Sequence, residues 1–222
     1  MVMLNNNMET GKEVYKYDKI YNHEGYLTKK GVTKTWEEAD DNFKKKWESY
    51  GHAVEGRQYI WYVAGLNPES IIDIGCGWNE FCQIMKEKAR VKGPVVGVDC
   101  SCPGADIIAS AHDIPVQDKS YDLLVSFDCM EHIPKEEVLD SFKEFARICN
   151  RMVVKISCKG VGTRIDGERV HTCVELPEWW LDQVKTYFKN IEYELRSPGE
   201  FVAPPSFERK AYGSIVIYGE SK

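Results

Sequence analysis

The sequence predicts an α/β fold in which a mostly parallel β-sheet is covered by helices on both faces. From residue 70 onward, short apolar runs alternate with stretches of helical periodicity. The runs are uniformly apolar instead of alternating with polar residues, which is typical of parallel strands buried on both faces. The chain has 222 residues, which is enough for one domain with a sizeable core.

Residues 1–67 are predicted to form an N-terminal arm and cap. The first residues are polar, and residues 13–35 are rich in tyrosine but lack a clear period, which indicates an irregular arm. Its tyrosines either pack the arm onto the domain or form a lid over a site. These tyrosines include Tyr15, Tyr21 and Tyr26.

Two helices are predicted at the end of this cap. The first covers 36–50, and Thr35 and Glu38 have the spacing of a capping box at its start. The second covers 52–65 and is ended by Asn67-Pro68. Its inner side is expected to consist of Tyr59, Ile60, Tyr62 and Val63.

Six strands are predicted after the cap, with helices between several of them. The strands lie at 70–74, 95–99, 123–127, 152–157, 191–195 and 214–218, and the helices near 79–91, 135–148 and 177–188. The segment between the second and third strands is too short for a helix and contains Pro103-Gly104, so we expect a loop or a single turn there. Residues 68–222 are therefore predicted to be one compact unit.

The composition limits the function classes. The net charge is −6, so the chain lacks the basic footprint of a general nucleic-acid or anionic-membrane binder, although a local basic patch stays open. No apolar run approaches the ~20 residues of a membrane span. We expect a cytoplasmic protein, a monomer or homodimer, without a secretory signal.

The eight cysteines are predicted to be reduced core residues, because none form a C-x-x-C pair and most lie in apolar runs. Cys100-Ser101-Cys102 is the nearest approach to a metal motif. No second pair stands at zinc spacing. The sequence therefore predicts no metal site.

The most informative segment is the loop after the first predicted strand. The apolar run ends at Asp73, and Gly75-Cys76-Gly77 leads into a helix. Glycine admits backbone conformations closed to other residues and lets a ligand approach the main chain. The N–H groups at a helix start favour anionic or strongly polar groups. Alone, the loop indicates only a nucleotide-like ligand.

Acidic residues also end the next strands. Asp99 ends the second strand, 22 residues after Gly77, where an acid can accept the hydroxyl groups of a ribose. Asp128, Glu131 and His132 follow the third strand. Because ligands of open α/β sheets bind beyond the carboxyl ends of the strands, we expect one shared site. Its acidity favours a positively charged ligand with a ribose over a dinucleotide pyrophosphate.

With these motifs the sequence resembles the class I S-adenosylmethionine-dependent methyltransferases, most closely the branch acting on small molecules or glycans. The resemblance covers residues 68–157 well and the C-terminal third loosely. It implies a Rossmann-like seven-stranded sheet, mostly parallel, with helices on both faces and an antiparallel last strand, preceded by the helical and irregular cap. It also implies S-adenosyl-L-methionine as the cofactor.

The resemblance further implies roles for individual residues. The loop from Asp73 to Gly77 corresponds to the motif that holds the methionine part of the cofactor, Asp99 to the ribose-binding acid, and Asp113 with Ile114 to the adenine contact. The residues assigned to cofactor binding are Asp73, Gly75, Cys76, Gly77, Asp99, Cys100, His112, Asp113, Ile114 and Phe127.

Glu131 and His132 are the candidate catalytic residues. They follow a strand end where the acceptor is expected to meet the methyl group, and a neutral imidazole can take a proton from an attacking hydroxyl. Alternatively, both residues only cap the next helix and hold the loop. His171 either approaches the same rim or is structural.

Two departures from the family pattern stand out. Asn79 replaces the usual third glycine, and because asparagine tolerates left-handed backbone, we expect the turn to persist in an altered form beside Trp78. The glycine pair before the fifth strand is replaced by Cys149-Asn150, which places the local turn in question more than the activity.

The expected function is transfer of a methyl group to a polar acceptor, a hydroxyl on a small molecule or sugar. Three alternatives stay open. They are a nucleic-acid or protein methyltransferase acting in a complex, a non-catalytic binding protein with this fold, and a nicotinamide-dinucleotide enzyme. An enzyme of the third kind would be expected to have a third glycine in the loop.

Overall fold

In a computed structural model, residues 56, 59–89, 91–102, 104–160, 164–165, 168–196 and 213–222 are described. The four described α-helices are α1 (Ile60–Gly65), α2 (Glu80–Lys88), α3 (Val138–Ile148) and α4 (Pro177–Tyr187). The strands are β1 (Ile71–Ile74), β2 (Val95–Asp99), β3 (Ile107–Ile108), β4 (Tyr121–Phe127), β5 (Cys149–Ser157), β6 (Arg164–Ile165), β7 (Glu168–Arg169), β8 (Phe188–Arg196) and β9 (Ser214–Ser221).

Seven strands form one sheet in the order β3-β2-β1-β4-β5-β9-β8. The neighbours from β3 to β5 pair in parallel, with Ile71 opposite both Val95 and Leu123. The last strand, β9, pairs antiparallel with both β5 and β8. Six strands therefore run in one direction, and the predicted Rossmann-like sheet with an antiparallel last strand is confirmed.

Helices cover both faces of the sheet, as the uniformly apolar strands predicted. Successive residues of a strand point to opposite faces, so Ile71 joins the core under α1 and α2, whereas Ile72 joins the core under α3 and α4. Phe81 and Met85 anchor the first core, and Phe142, Phe145 and Trp180 the second. All seven of these side chains are fully buried.

The end of the predicted cap packs on the sheet. Tyr59, Ile60 and Val63 are buried in the core under α1 and α2. The prediction for Tyr62 was wrong, because its side chain is 47% exposed. Tyr62 lies about 200° around the helix from Ile60, off the stripe formed by Ile60 and Val63. The predicted helix over 36–50 and the tyrosine-rich arm lie outside the described residues.

The remaining elements differ from the predictions mainly at their ends. The segment expected to be a loop contains β3, whose two residues pair with Val98 and Asp99 and are too few to give a periodic signal. Strand β5 begins at Cys149, directly after α3 ends at Ile148, so no glycine turn is needed there. None of the described helices has the length and apolar character needed to cross a bilayer.

Candidate functional site

The loop between β1 and α2 is held in the conformation that its glycines permit. Gly75 and Gly77 have φ angles of 76° and 51°, in the left-handed region that favours glycine. The N–H groups of Gly75 and Cys76 both donate to the carbonyl oxygen of Val98, at 2.8 and 3.0 Å. The loop is thereby fixed to the end of β2.

Asn79 takes the left-handed conformation expected of it, with φ of 64°, directly before α2. Its side-chain Nδ2 donates to Asp106 Oδ2 at 2.8 Å, and the same oxygen accepts the N–H of Gly97 at 2.9 Å. Burial opposes the shift, but these two donors and Lys86 lower the pKa of Asp106. Asp106 was missed from the sequence, because an acid in a segment predicted as a loop gave no signal.

Asp99 connects the two loops at this edge of the sheet. Its Oδ2 accepts the N–H of Gly77 at 3.1 Å, and its Oδ1 accepts those of Ser101 and Cys102, both at 3.0 Å. A carboxylate offers about four acceptor sites, so one remains on Oδ2 beside the glycine loop. Asp99 therefore shapes the loop and can still accept a ligand hydroxyl.

Asp73, at the end of the buried strand β1, is only 3% exposed. Burial, and then the charge of Asp99, raise the pKa of Asp73 to about 8. An ionised carboxylate in such a place is costly unless a positive charge lies nearby. A cationic ligand in the loop would supply that charge.

The predicted adenine contacts lie on the segment before β4. The N–H of Ile114 donates to Glu144 Oε1 at 2.8 Å, and its carbonyl accepts Arg147 Nη2 at 3.0 Å. The peptide groups of Ile114 are thus bonded to α3, whereas Asp113 is exposed. His112 Nδ1 lies 3.4 Å from Glu137 Oε2.

The other three residues predicted to contact the cofactor, which differ in their surroundings, are Cys76, Cys100 and Phe127. Cys76 is buried in the loop itself, and Cys100 is half-buried just after β2. The ring of Phe127 stacks on that of Tyr59, with centroids 5.0 Å apart, and tilts against Phe81. Phe127 therefore packs the core under α1 and α2, and its role toward a cofactor stays a prediction.

Glu131 and His132 lie on the 3-10 turn Met130–His132 that follows β4. The carbonyl oxygen of Glu131 accepts the N–H groups of Thr172 and Cys173 at 2.9 and 3.0 Å. The hydroxyl group of Thr172 donates to the carbonyl oxygen of His132 at 2.8 Å. The segment before α4 is thereby bound to the turn that follows β4.

His171 is brought against His132 by this pairing. The two rings meet edge to face, with centroids 4.7 Å apart. His132 Nδ1 lies 3.0 Å from the carbonyl oxygen of Val170, and His171 Nδ1 lies 2.9 Å from that of Lys159. A carbonyl accepts only from an N–H, so in the neutral rings the proton is on Nδ1 and the lone pair on Nε2.

The charges of this rim are strongly perturbed. Burial, then the charge of Asp128, raise the pKa of Glu131 well above its usual range, and the N–H groups of Glu131 and Ser157 and the charge of Lys155 oppose them only in part. Burial and the neighbouring His171 lower the pKa of His132 to about 4. Asp128 itself has a φ angle of 52° and pairs with Lys155, whose Nζ lies 2.5 Å from Oδ2.

The two halves of the site are adjacent because β1 lies between β2 and β4. A side chain at position 75 would meet Cys129 Sγ at 2.5 Å, so Gly75 lets the loop after β1 pack against the turn after β4. Trp78 lies against Gly104 in the loop after β2. Trp180 is fully buried in the core under α3 and α4.

A family model described as a methyltransferase domain matches residues 35–196 of the chain. A search of curated protein sequences gave no significant match.

Solved structures share the fold. The PH0226 protein from Pyrococcus horikoshii OT3 is 16% identical with a TM-score of 0.57, covering 83% of this chain and 100% of its own. A SAM-dependent methyltransferase from Archaeoglobus fulgidus is 16% identical with a TM-score of 0.56, covering 82% and 100%. A Haloferax volcanii putative methyltransferase in complex with the Trm112 activator is 14% identical with a TM-score of 0.54, covering 80% and 95%.

Proposed function

The chain belongs to the methyltransferase-domain family, and from that membership we propose that it transfers the methyl group of S-adenosylmethionine to a polar acceptor. The acceptor in this proposal is a hydroxyl group on a small molecule or sugar. When bound, the cofactor supplies an electrophilic methyl group on a positively charged sulfur. The protein then has to bind the cofactor and the acceptor, orient them toward each other, and exclude water.

The observation that carries the proposal is the pair of carboxylates at the ends of β1 and β2. Asp99 uses three of its acceptor positions on loop N–H groups and presents Oδ2 beside Gly77. Asp73, on the neighbouring strand, is buried and has a raised pKa. A ligand with both a hydroxyl group and a positive charge suits this pair, whereas the phosphates of a nicotinamide dinucleotide would meet two carboxylates.

Asp99 accepts a ribose hydroxyl in this proposal, and the open backbone at Gly75 and Gly77 receives the methionine part. Asp73 in its ionised form balances the ligand's positive charge. The exposed carboxylate of Asp113 accepts from the adenine amino group. Holding reactants in line in this way can supply roughly 7–11 kcal/mol of the barrier.

Glu131 and His132 act on the acceptor side of the site in the same proposal. The neutral imidazole of His132 carries its lone pair on Nε2, since Nδ1 donates to the carbonyl of Val170. An imidazole in that state can accept the proton of an attacking hydroxyl, an effect of about 10²–10⁴-fold. Glu131 positions the turn that carries it.

Isothermal titration with S-adenosylmethionine tests the proposal, with Asp99→Asn as the variant and Asp140→Asn as control, since Asp140 is exposed on α3. Losing a hydrogen bond to a charged group costs about 1.5–3 kcal/mol, so we expect about ten- to a hundredfold weaker binding for Asp99→Asn alone. NAD is expected not to bind. Saturable binding of NAD without binding of S-adenosylmethionine would contradict the proposal.

A further inference from the structure

Three side chains at the acceptor end of the site converge in a way that methyl transfer alone does not require. Glu131, His132 and His171 each offer an atom that can ligate a metal, and these atoms all lie within 4.8 Å of one another. Two come from the turn after β4 and the third from the segment before α4. No other such group occurs among the described residues.

The two imidazole rings make the hydrogen bonds that metal-binding imidazoles usually make. Each Nδ1 is held by a main-chain carbonyl oxygen, that of Val170 for His132 and that of Lys159 for His171. In metal sites the second ring nitrogen commonly donates to a carbonyl or carboxylate, which fixes the tautomer and turns the other nitrogen toward the ion. Here that other nitrogen is Nε2 in both rings.

Glu131 provides an independent observation. Its side chain is 0% exposed, and its carboxylate oxygens have only weak contacts with the N–H groups of Glu131 and Ser157, without a well-formed hydrogen bond from the described residues. Buried carboxylates are normally paired, hydrogen-bonded or bound to a metal. The negative charge of the nearby Asp128 makes an ionised Glu131 still less favourable, although Lys155 neutralises part of the charge of Asp128.

Hydrogen bonds to main-chain carbonyl groups also join the two segments that carry the cluster. Thr172 and Cys173 donate their N–H groups to the carbonyl of Glu131, and the hydroxyl of Thr172 donates to that of His132. The backbone is therefore set before any ion arrives. The ligand atoms, which lie within 4.8 Å of one another, would approach to the separation of about 3 Å that metal–ligand bonds of about 2 Å imply.

We propose that Glu131, His132 and His171 bind one divalent first-row metal ion, such as Mn²⁺ or Zn²⁺, and that the acceptor oxygen binds at its open positions. Two imidazoles and one carboxylate suit such ions, and three protein ligands leave coordination positions open. His132 is then a ligand, and the metal takes over its task of activating the hydroxyl. The second half of this inference rests on the proposed function, whereas metal binding itself does not.

The metal-assisted step balances without a further reactant. A coordinated hydroxyl loses its proton to solvent more readily, because a bound cation lowers the pKa of an oxygen ligand. The oxygen's electron pair then forms the bond to the methyl carbon. The pair of the breaking carbon–sulfur bond returns to sulfur and removes its positive charge.

The test is metal titration of the full-length protein after removal of metals by a chelator, with free Mn²⁺ followed by electron paramagnetic resonance and Zn²⁺ by calorimetry. We expect one ion per chain. Affinity is expected to fall at least tenfold in Glu131→Gln and in His171→Gln, because even residues behind the ligands alter metal affinity 10–100-fold. Glu87→Gln, exposed on α2, is the matched control and should bind as the wild type does.

Two further measurements keep the test decisive. In the wild-type protein, Mn²⁺ should broaden the imidazole NMR signals of His132 and His171, a readout independent of whether the variants fold. A parallel titration with S-adenosylmethionine separates the two proposals. Cofactor binding without metal binding overturns the metal site and leaves the function standing, and metal binding without cofactor binding does the reverse. Unchanged metal affinity in both variants also overturns the site.

Discussion

Replacing Asp73 with asparagine should change how the stability of the protein depends on pH. The pKa of Asp73 is about 8 in the folded protein and about 3.9 in an unfolded chain. The folded state therefore holds this proton more tightly than the unfolded state. The stabilisation is complete below pH 4 and is lost as the pH rises toward 8, so the free energy of unfolding falls along that interval.

The slope follows from proton linkage. One extra proton bound by the folded state changes the free energy of unfolding by about 1.4 kcal/mol per pH unit. Between pH 5 and 8 the wild type should lose about 4 kcal/mol through this residue. Asp73→Asn removes the titration while keeping the size and polarity of the side chain. Between pH 5 and 8 the free energy of unfolding of the variant should therefore fall by about 4 kcal/mol less than that of the wild type.

Urea unfolding at pH 5, 6, 7 and 8, followed by circular dichroism, measures the effect. Subtracting the variant's profile from that of the wild type isolates Asp73 from the other buried groups, because those are common to both proteins. Asp140→Asn, at an exposed site, should give a profile parallel to the wild type. Parallel profiles for Asp73→Asn as well would refute the reasoning, since Asp73 would then ionise equally readily in both states.

Two other predictions concern the same loop. Gly97→Ala places a Cβ atom 2.2 Å from Asn79 Oδ1, so it should lower the free energy of unfolding in urea by about 1–3 kcal/mol and weaken cofactor binding. The control Gly65→Ala adds a Cβ atom with nothing within 4 Å and should change neither quantity. Equal effects of the two substitutions would contradict the contact. The affinity for S-adenosylmethionine should rise with pH up to about 8, because the positive charge on the sulfur of this ligand favours the ionised form of Asp73. S-adenosylhomocysteine, whose sulfur is uncharged, should show a weaker pH dependence of affinity by calorimetry. Identical pH profiles for both ligands would place the sulfonium away from Asp73.

The strands and helices around the site could be predicted from the sequence because each carries its own local signal. The uniformly apolar run ending at Asp73 indicated a buried strand, and Asn79 was expected in the left-handed conformation it adopts. What local patterns could not supply were contacts between distant segments. Asp106 reaches Asn79 across the sheet edge, and Tyr62 is exposed although it matched the apolar face of a longer helix.

Strand order explains why motifs with no fixed spacing form one site. Since β1 lies between β2 and β4, the loop carrying Gly75 is bound on one side to Val98 and packed on the other against Cys129. The first contact fixes the half of the site that is proposed to bind the cofactor, and the second sets its position relative to the turn that carries Glu131 and His132. A side chain at position 75 would therefore disturb both halves together, which is the physical reason for glycine at that position whatever acceptor the protein methylates.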